Sequence, residues 1–212
     1  ENLTGDIVFR TPGMHPNIPA LNSLRDTGAE ITSEMEVFFE LCPCKMLAVT
    51  GSDGKTTTTT LIAEMLKAAG KTVWLGGNIG TPLLDKAGEM TADHVAVLEL
   101  SSFQLMSMKK TPHVAVITNL SPNHLDWHRD FAEYVEAKCN LFKNQDRDDA
   151  LVLNYDNLPS RELAEKAPGQ VRFFSRKSLA LPGGVWLKND VLLDNGQPIM
   201  EADDIRIPGM HN

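Results

Sequence analysis

The sequence contains few cysteines and no pattern that would pair them. Of its 212 residues only three are cysteines, and two of them, Cys42 and Cys44, are separated by a single residue. An odd number and such a short separation do not make the disulfide framework that is typical of small secreted domains. We therefore predict three free thiols in a reducing compartment.

A long apolar segment and a surplus of positive charge are also missing. No stretch approaches the roughly 20 consecutive apolar residues of a membrane-spanning helix, and the first residues lack the basic and apolar regions of a signal peptide. The formal net charge is −8 at pH 7, whereas proteins that follow nucleic acid along a wide face carry many Lys and Arg residues. We expect a cytoplasmic protein that binds neither membrane nor nucleic acid, so any phosphate binding must be local.

What the sequence does contain is an alternation of two kinds of segment. With 42% hydrophobic and 23% charged residues, the chain can bury a substantial core. Runs rich in Val and Ile alternate with segments of helical period, which indicates a mostly parallel sheet with helices on both faces. We assign the sequence to the α/β class, with a sheet of the P-loop type.

The predicted elements fall into three groups along the chain. A first unit, too short to be a domain, has strands at 6–10 and 29–32 and helices at 19–27 and 33–41. The main unit has strands at 46–50, 72–75, 94–100, 113–118 and 150–154 and helices at 55–69, 81–87 and 131–144. The last group has a helix at 160–166, a strand at 171–175 and hairpin turns at 188–190 and 194–196, which predict a small antiparallel edge.

A glycine-rich turn joins the strand at 46–50 to the next helix. Residues 51–56 read GSDGKT. Glycines let backbone N–H groups face a phosphate, the helix N-terminus adds partial positive charge, the lysine reaches the outer phosphates and the threonine hydroxyl can ligate magnesium. A tight turn without a ligand is the alternative, but the pattern favours a nucleoside triphosphate. The predicted nucleotide-binding residues of this loop are Gly51, Ser52, Asp53, Gly54, Lys55, Thr56 and Thr57.

The spacing of this loop differs from the usual P-loop, because Gly51 lies only three residues before Gly54. This shorter form resembles the Mur ligase and folylpolyglutamate synthetase superfamily. Further segments resemble the branch of Mur ligases that adds D-glutamate, over essentially the whole chain: TPG at 11–13, GGNIGTP at 76–82, LELSSFQL at 98–105, TNLSPNHLD at 118–126 and GMHN at 209–212.

The resemblance implies a three-domain ligase of which this chain is the middle part. Residues 1–43 would end an N-terminal domain that binds UDP, residues 44–207 would be a central ATP-binding domain, and residues 208–212 a hinge to a domain that binds the amino acid. The implied substrates are UDP-N-acetylmuramoyl-L-alanine and D-glutamate, with ATP and Mg²⁺ as cofactors and an acyl phosphate as intermediate. We expect a monomer, and little or no ligase activity from this chain alone. The alternatives are another Mur ligase, a folylpolyglutamate synthetase-like ligase, or an ATP-binding module without ligase chemistry.

Two residues at predicted strand ends are candidate magnesium ligands. Glu99 ends a strand, and ligands of open α/β sheets bind beyond the carboxyl ends of strands; a solvated carboxylate is the alternative. His124 also follows a strand end, and the resemblance implies that it holds a second magnesium ion. His128, four residues later, is expected to be more exposed.

Lys138 falls on the apolar stripe of the predicted helix at 131–144. One interpretation is that its ammonium group reaches water past the core. In Mur ligases the matching lysine carries a carbamate, so the resemblance implies an anionic Lys138 that ligates magnesium beside Glu99 and His124. The predicted catalytic residues are Lys55, Glu99, His124 and Lys138, and the predicted metal ligands are Thr56, Glu99, His124 and Lys138.

The resemblance also assigns the remaining candidates. Asn78 is expected to hold phosphates or the activated carboxylate, and Asn212 to contact the nucleotide. The predicted substrate-binding residues are Thr11, Pro12, Gly13, Asn78, Ser101 and Ser102. Asp53 stands where the family usually has Asn, and a carboxylate facing the phosphates would repel them. We therefore expect Asp53 to point away or to cap the following helix.

Overall fold

The computed structural model describes residues 5–123, 126–177 and 183–207. The elements in chain order are β1 (Ile7–Phe9), α1 (Pro19–Asp26), β2 (Glu30–Thr32), α2 (Glu34–Leu41), β3 (Lys45–Thr50), α3 (Lys55–Ala68), β4 (Val73–Gly77), β5 (Val95–Glu99), α4 (Ser102–Leu105), β6 (Val114–Ile117), α5 (Phe131–Cys139), β7 (Ala150–Asn154), α6 (Leu158–Glu162), β8 (Gln170–Ser175), β9 (Val185–Lys188), β10 (Val191–Asp194) and β11 (Gln197–Glu201). Short 3₁₀ helices cover Leu84–Glu89, Leu163–Lys166 and Ala202–Asp204.

The strands of the described residues form two sheets. The larger has nine strands in the order β11-β10-β9-β8-β7-β6-β3-β5-β4. Neighbours from β4 to β9 are parallel, and the pairs β9–β10 and β10–β11 are antiparallel. β1 and β2 pair in parallel in a separate two-stranded sheet. The predicted α/β class, the mostly parallel sheet and the antiparallel edge are therefore confirmed.

The two faces of the central strands pack against different helices. Ala96 and Leu98 of β5 belong to a large cluster that includes Phe38 of α2, whereas Val97 packs with Ala63 of α3. Successive side chains of a strand point to opposite faces, so β5 is buried on both sides. This sandwich places the start of α3 beside the carboxyl ends of β3 and β5.

Local signals explain which predicted elements form. Ser33 caps α2 and accepts a hydrogen bond from the backbone of Glu36, as its spacing predicts. Both hairpins have two-residue turns with positive φ, at Asn189 and Asp190 and at Asn195 and Gly196, which is the geometry that fits twisted strands.

Three predicted helices differ from the structure. The segment at 81–87 is instead the 3₁₀ helix Leu84–Glu89. The helix predicted at 131–144 ends at Cys139. The helix predicted at 160–166 begins earlier, because Asn157 caps it and proline occupies its first turn, and it continues as a 3₁₀ helix after Glu162. Lys138 still lies within the shortened helix α5.

The three cysteines are free thiols, as predicted. The Sγ atoms of Cys42 and Cys44 lie 3.3 Å apart. Within the described ranges, no helix is long and apolar enough to cross a membrane.

Candidate active site

Predicted site residues from three separate segments meet beyond the carboxyl ends of β3 and β5. Glu99, the last residue of β5, is buried and 2% exposed. Its Oε2 accepts a hydrogen bond from Thr56 Oγ1 at 2.7 Å, and its Oε1 accepts one from Asn78 Nδ2 at 2.9 Å. The carboxylate thus joins the start of α3 to the loop after β4. Burial and two donors contradict the alternative of a solvated strand-end carboxylate.

The turn between β3 and α3 requires glycine at two positions. Gly51 has a φ of 151° and Gly54 a φ of 77°, both in the region that favours glycine. A Cβ atom on Gly51 would lie 1.9 Å from Thr118 Oγ1. Gly54 is the N-cap of α3, which begins at Lys55 as predicted, and Thr57 lies in its first turn. The N-terminus of α3 is therefore open to an anion.

Two residues at the end of β6 hold the backbone of Asp53. Asn119 Oδ1 accepts from Asp53 N at 3.0 Å, and Asn119 Nδ2 donates to Asp53 O at 3.1 Å. Thr118 Oγ1 donates to the same carbonyl at 2.6 Å. Asp53 is exposed, and the expectation that its carboxylate points away from the phosphates stays a prediction. The other expectation, helix capping, is wrong, because Gly54 is the N-cap and no described side chain caps α3.

Ser52 connects the phosphate loop to the protein interior. Its Oγ donates to Ser121 O at 3.0 Å, accepts from Ser121 N at 2.9 Å and hydrogen-bonds to Tyr134 OH at 3.0 Å. Its backbone N donates to Asn119 O at 2.9 Å. These contacts give Ser52 a role in holding the loop, and its predicted contact with nucleotide stays a prediction.

Lys55 lies against the carbonyl groups of its own loop. Its Nζ donates to Gly51 O at 3.1 Å and to Ser52 O at 2.8 Å. The cation is thus held at the mouth of the turn, at the positive end of α3. A small movement of the Lys55 side chain would bring its ammonium group to phosphate oxygens bound at the N-terminus of α3.

Lys138 is buried against the same loop and shares the acceptor Gly51 O with Lys55. It is 1% exposed, and its Nζ donates to Thr50 Oγ1 and to Gly51 O, each at 3.0 Å. The Nζ also lies 4.7 Å from the centre of the Tyr134 ring. The interpretation that this ammonium group reaches water is therefore wrong.

The surroundings of Lys138 disfavour its charged form. The pKa of Lys138 is lowered from 10.5 to about 7: burial is the largest cause, the nearby Lys55 cation also lowers it, and Glu99 opposes the change. A substantial fraction of this amine is consequently neutral near pH 7, which makes it a nucleophile.

The lowered pKa predicts how stability depends on pH. Because the folded pKa of about 7 lies below the unfolded value of 10.5, the unfolded state binds more protons between these values. The free energy of unfolding therefore rises with pH in this window, and the destabilisation is complete below pH 7. The measurement is the free energy of unfolding by urea in carbon dioxide-free buffer, for this chain and for its Lys138→Met variant. The increase in this free energy from pH 7 to pH 9 is expected to be larger for the unmutated chain than for the variant. Equal increases would contradict the lowered pKa.

The predicted substrate residues Ser101 and Ser102 begin α4, which the sequence did not predict. Ser101 forms a capping box with Gln104. Ser102 is buried, and its Oγ lies 2.9 Å from His128 Nε2. The expectation that His128 is exposed is wrong: it is 2% exposed and stacks on Phe103 with ring centres 5.9 Å apart.

The predicted substrate loop at 11–13 lies near this aromatic cluster. Thr11, Pro12 and Gly13 are exposed. Trp127 Nε1 donates to Gly13 O at 3.4 Å, and the Trp127 ring lies 4.5 Å from the ring of Phe103 in α4. The loop after β1 and the start of α4 therefore face a common region. His124, Asn212 and the predicted hinge at 208–212 lie outside the described residues.

Comparison with known proteins agrees with this arrangement. Residues 49–212 match the model of the Mur ligase middle domain. A UDP-N-acetylmuramoylalanine–D-glutamate ligase of Acetivibrio thermocellus is 56% identical over 217 residues, which cover 100% of this chain and 46% of the relative. A ligase of the same name from Ruminiclostridium cellulolyticum is 51% identical, over 98% of this chain and 45% of its own length. The chain thus spans about half the length of the curated relatives that it matches.

Solved structures share the fold at lower identity. The UDP-N-acetylmuramate:L-alanyl-gamma-D-glutamyl-meso-diaminopimelate ligase from Neisseria meningitides has a TM-score of 0.66 at 18% identity, over 97% of this chain and 69% of that one. FolC of E. coli, in complex with DHPP and ADP, has a TM-score of 0.55 at 13% identity, over 79% of this chain and 51% of that one. Likeness at these identities shows the fold alone.

Proposed function

Because this chain belongs to the Mur ligase family, we propose that the whole protein is an ATP-dependent ligase that joins D-glutamate to UDP-N-acetylmuramoyl-L-alanine in the synthesis of peptidoglycan precursors. The observation that carries the proposal is the position of the buried Glu99 carboxylate, held between Thr56 of the phosphate loop and Asn78. The names of relatives that are 51% and 56% identical support the choice of substrates. We also propose that the protein acts in the cytoplasm, as a monomer.

The proposed reaction has two steps. A carboxylate oxygen of the UDP-linked substrate attacks the γ-phosphorus of ATP, the bond to the ADP oxygen breaks, and an acyl phosphate forms. The amine of D-glutamate then attacks the acyl carbon, phosphate leaves and the amine loses a proton. Lys55 and the N-terminus of α3 stabilise the charge on the transferred phosphoryl group, since both present positive charge at the turn.

The residues at the turn fit magnesium. The Thr56 hydroxyl and the Glu99 carboxylate are neighbouring hard oxygen ligands, which Mg²⁺ prefers. We propose that they hold one Mg²⁺ ion and that His124 holds a second. Bound magnesium would neutralise charge on the phosphates. Lys138 as an ammonium group would oppose such a site, whereas a carbamate on Lys138 would supply a further oxygen ligand.

We propose that Lys138 carries this carbamate in the whole enzyme. A carbamate forms when a neutral amine attacks carbon dioxide, so that a nitrogen–carbon bond forms and one proton leaves. Burial lowers the pKa of Lys138 to about 7, which supplies the neutral amine. The modification exchanges a buried cation for an anion that a metal can pair with, and this change relieves the electrostatic conflict between Lys138 and Lys55.

The same proposal divides the chain into parts. Residues 1–43 are the end of a UDP-binding domain, residues 44–207 the ATP-binding domain and residues 208–212 the hinge. Support comes from the separate sheet of β1 and β2. The UDP-linked substrate lies between the loop at 11–13, Asn78 and the serines at the start of α4, and the nucleotide lies at the turn and contacts Asn212.

The test is amino-acid-dependent ADP formation by the whole protein. With UDP-N-acetylmuramoyl-L-alanine, ATP and Mg²⁺, we expect ADP release that requires D-glutamate. L-glutamate and meso-diaminopimelate should give none, and so should D-glutamate with a UDP-N-acetylmuramate that lacks L-alanine. Release that depends on another amino acid would assign the protein to another ligase, and release without any amino acid would indicate an ATPase.

A further inference from the structure

Arg10 is a buried cation that none of the predicted roles uses. It follows β1 directly, precedes the loop at 11–13 and is 3% exposed. Burial lowers its pKa, and the nearest acidic influence is Glu36, which opposes that change. A buried guanidinium group is costly unless its donors are satisfied, so its partners indicate what it is for.

The donors of Arg10 divide between two segments of the chain. Nη1 donates to the carbonyl oxygens of Thr11, Pro12 and Met14, at 3.3, 3.4 and 2.8 Å. Nη2 donates to Phe103 O at 3.3 Å and to Ser107 Oγ at 2.8 Å. One planar group therefore binds the loop after β1 and the segment that contains α4.

A second set of contacts holds the partners of Arg10 in place. Ser107 Oγ donates to Glu36 Oε2 at 3.1 Å, and Ser33 Oγ donates to the same oxygen at 2.7 Å. The start of α2 is thereby linked through Ser107 to the guanidinium group. Glu36 provides the compensating negative charge, one side chain away from Arg10.

The loop that Arg10 holds is bound on one side and exposed on the other. Met14 N donates to Thr11 O at 3.0 Å and closes the turn. The carbonyl oxygens of Thr11, Pro12 and Met14 each accept a hydrogen bond from Arg10. The side chains of Thr11 and Pro12 remain exposed. The backbone is thus fixed while its outer surface stays available to a ligand.

We propose that Arg10 is a positioning residue for the UDP-linked substrate: it fixes the loop at 11–13 relative to α4, so that both segments bind one substrate molecule without prior rearrangement. This inference rests on the proposed function. A rigid fork of donors suits two segments at once, whereas lysine, with a single ammonium group, cannot replace it. Without the hydrogen bonds of Arg10, the loop would become ordered only when the substrate binds, and the entropy lost in that ordering would weaken the affinity for the substrate.

The experiment compares Arg10→Lys with wild type in the whole enzyme. We expect KM for the UDP-linked substrate to rise about tenfold, as for the loss of a charge-assisted hydrogen bond, while KM for ATP stays within about twofold because the phosphate loop does not touch Arg10. The matched control is Arg25→Lys in the same unit. Within the described part of the chain, Arg25 donates to Pro16 O and Asn22 Oδ1 and not to the loop at 11–13 or α4, so neither KM should change more than about twofold.

Two further measurements keep the result decisive. Amide hydrogen exchange should be faster at residues 11–14 in Arg10→Lys than in wild type, and this readout does not depend on which reaction the enzyme catalyses. If Arg10→Lys does not fold, Ser107→Ala is the second variant, because it removes the hydrogen bond from Arg10 Nη2 to Ser107 Oγ. It should raise KM for the UDP-linked substrate about threefold. An unchanged KM with unchanged exchange, or an equal rise of both KM values, would overturn the role of Arg10. Absence of D-glutamate-dependent activity in wild type would instead overturn the proposed function.

Discussion

Lys138→Ala in the whole enzyme is expected to lose nearly all ligase activity, by at least about 100-fold, and to regain part of it when a short carboxylic acid is added. A loss of this size is usual when a charge that stabilises phosphoryl transfer is removed. Alanine leaves a gap lined by Thr50, Gly51 and Tyr134, and acetate or propionate can place a carboxylate there. The measurement is D-glutamate-dependent ADP release over a range of acid concentrations.

Matched variants separate the carbamate from other roles of the lysine. Lys138→Arg keeps a cation in the gap and should stay inactive with added acid. Lys143→Ala, at an exposed position after α5, should keep normal activity and show no effect of the acid. Labelled bicarbonate should also give a carbamate carbon signal in wild type with magnesium and nucleotide bound. Full activity of Lys138→Ala, or the absence of that signal, would make Lys138 a purely structural residue.

Lys55→Ala is expected to reduce turnover of the whole enzyme by about 100- to 1,000-fold, because in the proposed mechanism its ammonium group at the start of α3 stabilises the transferred phosphoryl group. The measurement is the steady-state rate at saturating ATP. Lys67→Ala removes a cation from the far end of the same helix, where it pairs with exposed Glu64, and should leave the rate unchanged. Thr56→Ala should raise the magnesium concentration needed for half-maximal rate. Near-normal turnover of Lys55→Ala would contradict the assignment of the phosphate loop.

The parallel sheet could be predicted because its strands are short and apolar, and because central strands such as β5 are buried on both faces. The strand at 95–99 and the phosphate loop were placed within one residue, since glycines, a lysine and an apolar run occur together there. The order of the strands could not be predicted in this way, because non-adjacent segments such as β3 and β6 pair. A helix of four residues such as α4 is also too short for hydrophobic periodicity to indicate it.

The site was predictable where its residues follow strand ends, and much less where packing decides. Glu99 and Asn78 come together because Glu99 ends β5 and Asn78 follows β4, its neighbour in the sheet. The burial of His128 depends on its stacking with Phe103, which is distant in sequence. Arg10 has no local signal either, since its partners Phe103 and Ser107 are more than 90 residues away. Contacts of this kind depend on the tertiary structure.

The measurement that tests the account most directly is transfer of labelled oxygen from substrate to phosphate. UDP-N-acetylmuramoyl-L-alanine with ¹⁸O in both carboxylate positions is incubated with the whole enzyme, ATP, Mg²⁺ and D-glutamate. Phosphoryl transfer at the turn before α3 predicts one ¹⁸O atom in each released phosphate and the other in the new peptide bond. Label in AMP, or phosphate without label, would show that this site does not activate the carboxylate as an acyl phosphate.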